Sequence, residues 1–281
     1  MERAKTGKPE KKKMKKQKIL ALDFDGCIVD SVKEALFVTY ASYRKFINKE
    51  TKIFDNKNPE INNFLNLISD YQSQVQEFKQ YRHYIKDASD YAAILYIMEN
   101  NLKVSCDDEF FKIKELIPEE NLKKYYECFY NTRAKMIKNN FDAWAKLTPG
   151  FNCIDKIREL TNKYKAVIAT TNSKESIKDL LGEAYLNLNV KENDIIDLHI
   201  STDKIIQTGH IAKIYKVKFD NIHFVDDNLS HLLAVQGLGV NVYLAGWGYC
   251  TEEQKDSAEK REDITLLTEE NIYLVLDEAL G

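Results

Sequence analysis

Between Lys18 and Leu22 the chain reads Lys-Ile-Leu-Ala-Leu, an apolar run without polar alternation. Such a run predicts a short strand buried on both faces. Gly26, just beyond it, permits a tight turn. From Ser31 to about position 47 the apolar residues shift to helical spacing, with Val32, Leu36, Tyr40, Tyr43 and Ile47 on one side. The stretch from about 60 to 141 continues in that style, rich in Tyr, Phe, Lys, Glu and Asn, with Pro118 near a helix start. It holds no alternating strand pattern and predicts a bundle of helices.

Near Leu147-Thr148-Pro149-Gly150 the pattern changes again. A helix over Phe151–Tyr164 leads to the apolar strand Ala166–Ala169, and a helix from Lys174 leads to a strand at Leu198-His199-Ile200. A helix near His210–Lys216 precedes the strand Ile222–Val225, and a helix over Leu229–Gln236 precedes the strand Val240–Leu244. Short apolar strands alternating with helices predict an α/β fold: a Rossmann-like, doubly wound parallel sheet with an inserted α-helical segment. Ligands of such sheets sit beyond the carboxyl ends of the strands, so chemistry is sought just after each one.

Composition adds three points. No apolar run approaches the ~20 residues that a membrane-spanning helix needs. The five cysteines (Cys27, Cys106, Cys128, Cys153, Cys250) are scattered, odd in number and never in a CxxC pair, which suits a reducing cytoplasm. Residues 1–16 form a basic tail in which Arg3, Lys5, Lys8, Lys11, Lys12, Lys13, Lys15 and Lys16 face only Glu2 and Glu10, and Lys18 follows. The whole chain carries a formal charge of −3, so the body behind this tail is acidic. The tail has the charge to touch nucleic acid or an anionic membrane, but without interleaved aromatics it reads as a solvated, disordered arm. The apolar run Ile19–Leu22 is too short for the core of a signal peptide.

The strand ends carry a consistent chemistry. The first delivers Asp23-Phe24-Asp25-Gly26, the second Thr170-Thr171-Asn172, and the fourth Asp226-Asp227-Asn228. Clustered carboxylates raise each other's pKa, a cost that a bound hard cation removes, and Mg²⁺ favours one or two carboxylates with water and phosphate oxygens. Thr171 and Asn172 offer uncharged groups for phosphate oxygens, and a lysine would complete the site. Taken singly, DxDG fits a calcium loop or a turn, and Asp226-Asp227 fits a helix cap. Four such elements in order, each at a strand end, point to phosphoryl transfer.

At these residues the chain resembles the haloacid dehalogenase superfamily of phosphohydrolases. Asp23-Phe24-Asp25-Gly26-Cys27-Ile28-Val29-Asp30-Ser31 matches the first motif, DxDGxxxDS. Ala166–Asn172 matches the second, an apolar strand ending in Thr, and Val225-Asp226-Asp227-Asn228 matches the fourth. The third motif is a lysine, here Lys204 or, alternatively, Lys213, with Lys204 at the better distance. The resemblance implies that Asp23 attacks phosphorus to form an aspartyl-phosphate and that Asp25 serves as general acid and then general base. It also implies Mg²⁺ held by Asp23, the Asp25 carbonyl and Asp226 or Asp227, with Gly26, Thr171, Asn172 and the lysine around the phosphoryl group. An acid two positions after the nucleophile argues for phosphate esters over halides or phosphonates.

Residues 17–31 and 147–281 then form the core, and 32–146 takes the place of a helical C1 cap. Such a lid favours a small phosphorylated metabolite and gives no reason to expect nucleic acid or a membrane span. Within it, Tyr81-Arg82-His83-Tyr84-Ile85-Lys86 offers Arg82 to a substrate anion, although a solvated helix face is the commoner setting for such a run. Trp247, in Ala245-Gly246-Trp247-Gly248-Tyr249, is either packing or a pocket wall, and His210 and His231 carry no assigned role. Hydrolysis of a small phosphate monoester is the favoured function. The alternatives are a sugar phosphomutase of the same superfamily and a non-catalytic binding module.

Overall fold

The computed structural model describes residues 17–281, and the basic tail expected over 1–16 lies outside them. Strand β1 (Ile19–Leu22) is buried along its whole length. Seven helices follow over residues 32–145: α1 (Val32–Phe46), α2 (Phe64–Ser69), α3 (Gln72–Gln80), α4 (Asp90–Glu99), α5 (Asp107–Lys114), α6 (Glu119–Asn139) and α7 (Phe141–Ala145). The chain then alternates through α8 (Ile154–Lys163), β2 (Lys165–Ala169), α9 (Lys174–Leu181), β3 (Ile195–Ile196), α10 (Lys204–Tyr215) and β4 (Ile222–Asp226). It ends with α11 (Leu229–Gln236), β5 (Asn241–Ala245), α12 (Glu252–Glu259), β6 (Ile264–Leu267) and α13 (Ile272–Leu280).

The six strands form one all-parallel sheet in the order β3-β2-β1-β4-β5-β6. The two faces bury separate apolar sets, as a sheet covered on both sides requires. Leu20, Leu22, Ile168 and Val225 pack with residues of α8, α9 and α13 on one face. Ile19, Ala21, Val167, Ala169 and Phe224 pack with residues of α10, α11 and α12 on the other. The strand order turns back between β1 and β4, which opens a crevice at their carboxyl ends.

Two expectations are corrected. The third strand is Ile195–Ile196, paired with Ile168 and Ala169, whereas 198–200 is a turn. The cause is Asp197, whose carboxylate accepts from the backbone of Lys174 (2.8 Å) and of His199 (3.2 Å), a local bond that favours a turn over a ladder. Helix α10 starts at Lys204, six residues before the expected His210, because the Asp203 carboxylate caps it by accepting from Ile205 N at 2.7 Å. The strand β6 and the helices α12 and α13 come from a stretch in which the apolar pattern had suggested nothing.

The helical insertion is anchored where it leaves and where it returns. Asp30 N donates to Pro149 O at 2.8 Å, and Phe151 N donates to Ile28 O at 3.1 Å. Inside it, α1 packs along α6 around Tyr40, Tyr43, Tyr125 and Phe129, all at most 1% exposed. A buried ion pair joins these two helices: Arg133 donates from Nε to Glu34 Oε1 and from Nη2 to Glu34 Oε2, both at 2.8 Å. Trp144 Nε1 adds a third donor to Glu34 at 3.3 Å. Among the described residues no helix is long and apolar enough to cross a membrane.

Removing one partner of a buried pair leaves an uncompensated charge, which costs about 3–5 kcal/mol. Glu34→Ala is therefore expected to lower the urea unfolding midpoint by that equivalent, and Glu34→Met with Arg133→Met to recover most of it. A loss below about 1 kcal/mol in the single variant would show that the pair is not buried as described.

Candidate active site

The parallel register of the central strands creates the site. Leu22 of β1 is paired with Val225 of β4, so the residues that follow, Asp23 and Asp226, emerge side by side. Asp23 N donates to Val225 O at 2.9 Å, which fixes the start of the loop. Lys204, the first residue of α10 and only 3% exposed, reaches across to Asp23 Oδ1 at 2.7 Å. The same ammonium donates to Ala169 O at 2.6 Å and stands 3.9 Å from Asp226 Oδ2. Lys213 is exposed further along the same helix, so of the two candidate lysines the structure brings only Lys204 to the aspartates.

Asp25 is held from the β2 side. Asn172 Nδ2 donates to Asp25 Oδ2, and Asn172 Oδ1 in turn accepts from Arg133 Nη1. Its oxygen and one of its two Nδ2 hydrogens are thus engaged by protein, while the residue still lines the neighbouring cleft. Thr171 faces the cleft, whereas Thr170 is buried with its hydroxyl accepting from Asn172 N at 3.0 Å. Gln207, which no sequence motif singles out, donates to Thr170 O and Ser201 O at 2.7 Å each and braces this loop.

Gly26 is required by its surroundings. Its φ is +82°, and a Cβ there would collide with the Asp227 carboxylate. Gly248 meets the same carboxylate from the other side, with Gly26 O also in its way. Asp227 Oδ2 accepts from Tyr249 N at 2.7 Å. Trp247, half-buried, donates from Nε1 to Cys27 O at 3.0 Å, so it braces the β1 loop. In this cradle Asp23, Cys27 and Asp227, all buried, bring ligand atoms within 4.8 Å of one another. Burial, with the charges of Asp227 and Asp23, pushes the Cys27 thiol well above its ordinary range and keeps it neutral. The charged donors are oxygens, which suits a hard divalent cation better than a thiolate-seeking one.

Charge in the pocket is unevenly tolerated. Burial raises the Asp23 carboxyl to about 6 despite the opposing pull of Lys204, with Asp226 adding to the rise. Asp227 is pushed well up, first by burial and then by the charges of Asp226 and Asp23. Asp226 also suffers burial, but His231, Lys204 and the Asn228 N–H outweigh it and hold its carboxyl below the ordinary range. Lys204 is raised because Asp23 and Asp226 together outweigh the burial that opposes its charge. Lys204 thus remains a cation, while ionisation of Asp23 and Asp227 is disfavoured unless further positive charge arrives.

Two small clefts of about 70 Å³ each open over these residues and share Asp25, Ile85, Tyr91, Thr171 and His231. His231, given no role from sequence, lies with Nδ1 3.1 Å from Asp226 Oδ2. Arg82 belongs to the same wall: it is 6% exposed and sits on a single 3₁₀ turn (Arg82–Tyr84), not on a solvated helix face. A larger cavity, about 700 Å³, lies within the insertion around Tyr43, Ile53, Tyr96 and Glu99 and contains none of the strand-end groups. The chemistry therefore belongs to the small clefts.

No family model matches the chain, and no curated protein matches it. Solved structures do. A haloacid dehalogenase-like family hydrolase from Streptococcus pneumoniae is 12% identical, with 92% of this chain and 98% of that one covered at a TM-score of 0.54. A structure described as a predicted phosphoglycolate phosphatase from Haemophilus somnus gives 12%, 94%, 99% and 0.59, and a predicted phosphatase from Clostridium acetobutylicum gives 11%, 94%, 100% and 0.54. At such identities the likeness is one of architecture, and it runs through nearly the whole of both chains. With its parallel sheet, its helical insertion after the first strand and its acidic strand ends, this chain has the haloacid dehalogenase-like fold.

Proposed function

We propose that this protein is a Mg²⁺-dependent phosphatase that hydrolyses a small phosphate monoester through an aspartyl-phosphate on Asp23. The observation that carries this reading is the pairing of a buried carboxylate at the cleft, Asp23, with a buried lysine 2.7 Å away. A second carboxylate, Asp25, stands two residues on, oriented by Asn172.

Asp23 is the nucleophile. Its Oδ attacks phosphorus as the ester P–O bond breaks, and Asp25 gives its proton to the departing alkoxide. Asp25, now a carboxylate, takes a proton from water, and the hydroxide produced attacks the aspartyl-phosphate to release phosphate and restore Asp23. Lys204 and Thr171 bind the phosphoryl oxygens, and the neighbouring Gly26 leaves the backbone open to them. Mg²⁺ would be held by the carboxylates of Asp23 and Asp227 and the main-chain carbonyl of Asp25, with Asp226 beside them. When bound it supplies the positive charge that lets an anionic nucleophile approach an anionic phosphate.

Helices over 32–146 act in this reading as a C1-type cap on the core of 17–31 and 147–281. The two clefts of about 70 Å³ beneath it suit a small phosphorylated metabolite rather than a phosphoprotein. A cytoplasmic setting belongs to the same proposal, since all five cysteines are unpaired thiols.

Phosphate release from a panel of esters is expected to require Mg²⁺, to stop in EDTA, and to fall at least ~1,000-fold in Asp23→Asn. Release that survives either treatment would rule out this mechanism.

The raised carboxyl of Asp23 makes a second prediction, on the metal-free protein. An unfolded Asp titrates near ~3.9, while folded Asp23 titrates at about 6. The folded state therefore holds the extra proton between these values, and its stability falls as pH rises through that window. Asp23→Asn, which cannot ionise, is expected to unfold later than the parent at pH 7.5, by up to ~3 kcal/mol. The advantage should vanish below pH ~4, and a parent that is the more stable of the two at pH 7.5 would contradict the account.

A further inference from the structure

Arg82 has an unusual environment for a buried cation. Its guanidinium lies between two aromatic rings, 4.9 Å from the centroid of Tyr91 and 4.4 Å from that of Tyr249. Both contacts lie in the cation–π range. Its hydrogen bonds are another matter. Nη2 donates to Ser31 Oγ at 3.2 Å, but Nε and Nη1 are buried without any acceptor. Among the described residues no carboxylate lies within 4.0 Å of it.

The protein's other buried arginine of the insertion, Arg133, shows the contrast. Its three nitrogens are all engaged, by Glu34 and Asn172. An unmet charged donor inside a protein is costly, so structure alone gives no reason to keep Arg82 in this form. Its position gives one, because it lines the cleft that also contains Asp23, Asp25, Thr171 and Asp227. His83, its neighbour in the chain and in the cleft wall, likewise buries an Nδ1 without a partner.

The direction of the reaction says which part of a substrate would meet these groups. In phosphoryl transfer the attacking and leaving oxygens are roughly in line. The leaving group therefore points away from Asp23 and towards the insertion, whose Arg82, His83, Ile85 and Tyr91 form that side of the cleft. The transferring phosphoryl has Lys204 on the sheet side.

We propose that Arg82 receives a second anionic group, a carboxylate or a phosphate, carried by the alcohol portion of the substrate. The proposal rests on the hydrolase reading for the identity of the first group, the transferred phosphoryl. It adds that the substrate is negatively charged at both ends. A guanidinium with two unmet nitrogens offers charged, in-plane donors of the kind that carboxylate and phosphate oxygens accept.

The test uses the full chain with Mg²⁺ and matched esters: carboxymethyl phosphate against ethyl phosphate, and propane-1,3-diol bisphosphate against propyl phosphate. The parent should prefer at least one charged member by about 10- to 100-fold in kcat/KM. Arg82→Met should reduce that preference to within about threefold, and Arg82→Lys should keep part of it. Which pair shows the preference tells carboxylate from phosphate.

Calorimetric binding of 3-phosphonopropionate against propylphosphonate provides an arm independent of turnover. Selective binding of the carboxylated probe that Arg82→Met abolishes, with no ester hydrolysed, would sustain the anion site while the hydrolase reading fails. Three results would overturn the proposal: no preference for charge in the parent by either measure, an equal loss on charged and neutral members in the variants, or an unchanged preference. An equal loss would place Arg82 on the transferring phosphoryl or in a purely structural role. Should Arg82→Met not fold, the same ratios in Arg82→Lys and Arg82→Gln decide.

Discussion

Three buried aspartates at the ends of two adjacent parallel strands impose the constraint from which the rest of the site follows. Asp23, Asp226 and Asp227 are each at most 9% exposed, and the register of β1 with β4 gives them no freedom to separate. In a confined site such a cluster resists ionisation unless positive charge is brought to it. Within 4.0 Å the chain brings one ammonium to them, Lys204, at the start of a helix that Asp203 caps. That lysine does not offset the burial and mutual repulsion of the carboxylates, as the upward displacement of Asp23 and Asp227 shows. In the reading proposed above, a hard cation would make up the balance through its preference for oxygen donors.

The insertion is linked to that charge balance through hydrogen bonds. Glu34 on α1 holds Arg133 on α6, Arg133 holds Asn172 after β2, and Asn172 holds Asp25 after β1. The Asp25 carboxyl is thereby positioned by residues of the helical segment as well as by the sheet. The return of the chain is pinned to its departure by the pairing of Asp30 with Pro149 and of Ile28 with Phe151. Helices and sheet thus meet at the site over several contacts distant in sequence, and an error in packing α1 against α6 would be felt at Asp25.

Much of this was legible in the residues. The apolar run Ile19–Leu22, and Ile222–Val225 broken only by His223, marked the central strands, since a parallel strand covered on both faces has no solvent-facing side. The aspartates announced themselves because acids directly after apolar runs are expensive without a purpose. Other parts left no such mark. The third strand has only two paired residues, too few for a periodic signal, and the more visible Leu198–Ile200 was diverted into a turn by Asp197. Arg133, Gln207 and His231 each lie on a helix among other polar residues, and spacing alone does not separate a polar side chain turned to the sheet from one turned to solvent. Arg82 was flagged for its chemistry, but its burial depends on Tyr91 of the next helix and on Tyr249, which is distant in sequence.

The two buried arginines show how the same residue type serves opposite ends. Arg133 is matched donor for acceptor, and such a pair contributes fixed geometry more than it does stability, because desolvation cancels much of the attraction. Arg82 is buried with Nε and Nη1 unmatched, a state that lowers the stability of the free protein. Natural chains retain such local conflicts mainly where function requires them. The same reasoning applies to Asp23, whose charged form is disfavoured in the metal-free fold. An acid deficient in positive charge and a guanidinium deficient in acceptors face one cleft without pairing with each other. What would satisfy both at once is a cation at the sheet end and a molecule with negative charge at each end, spanning the cleft from Lys204 to Arg82.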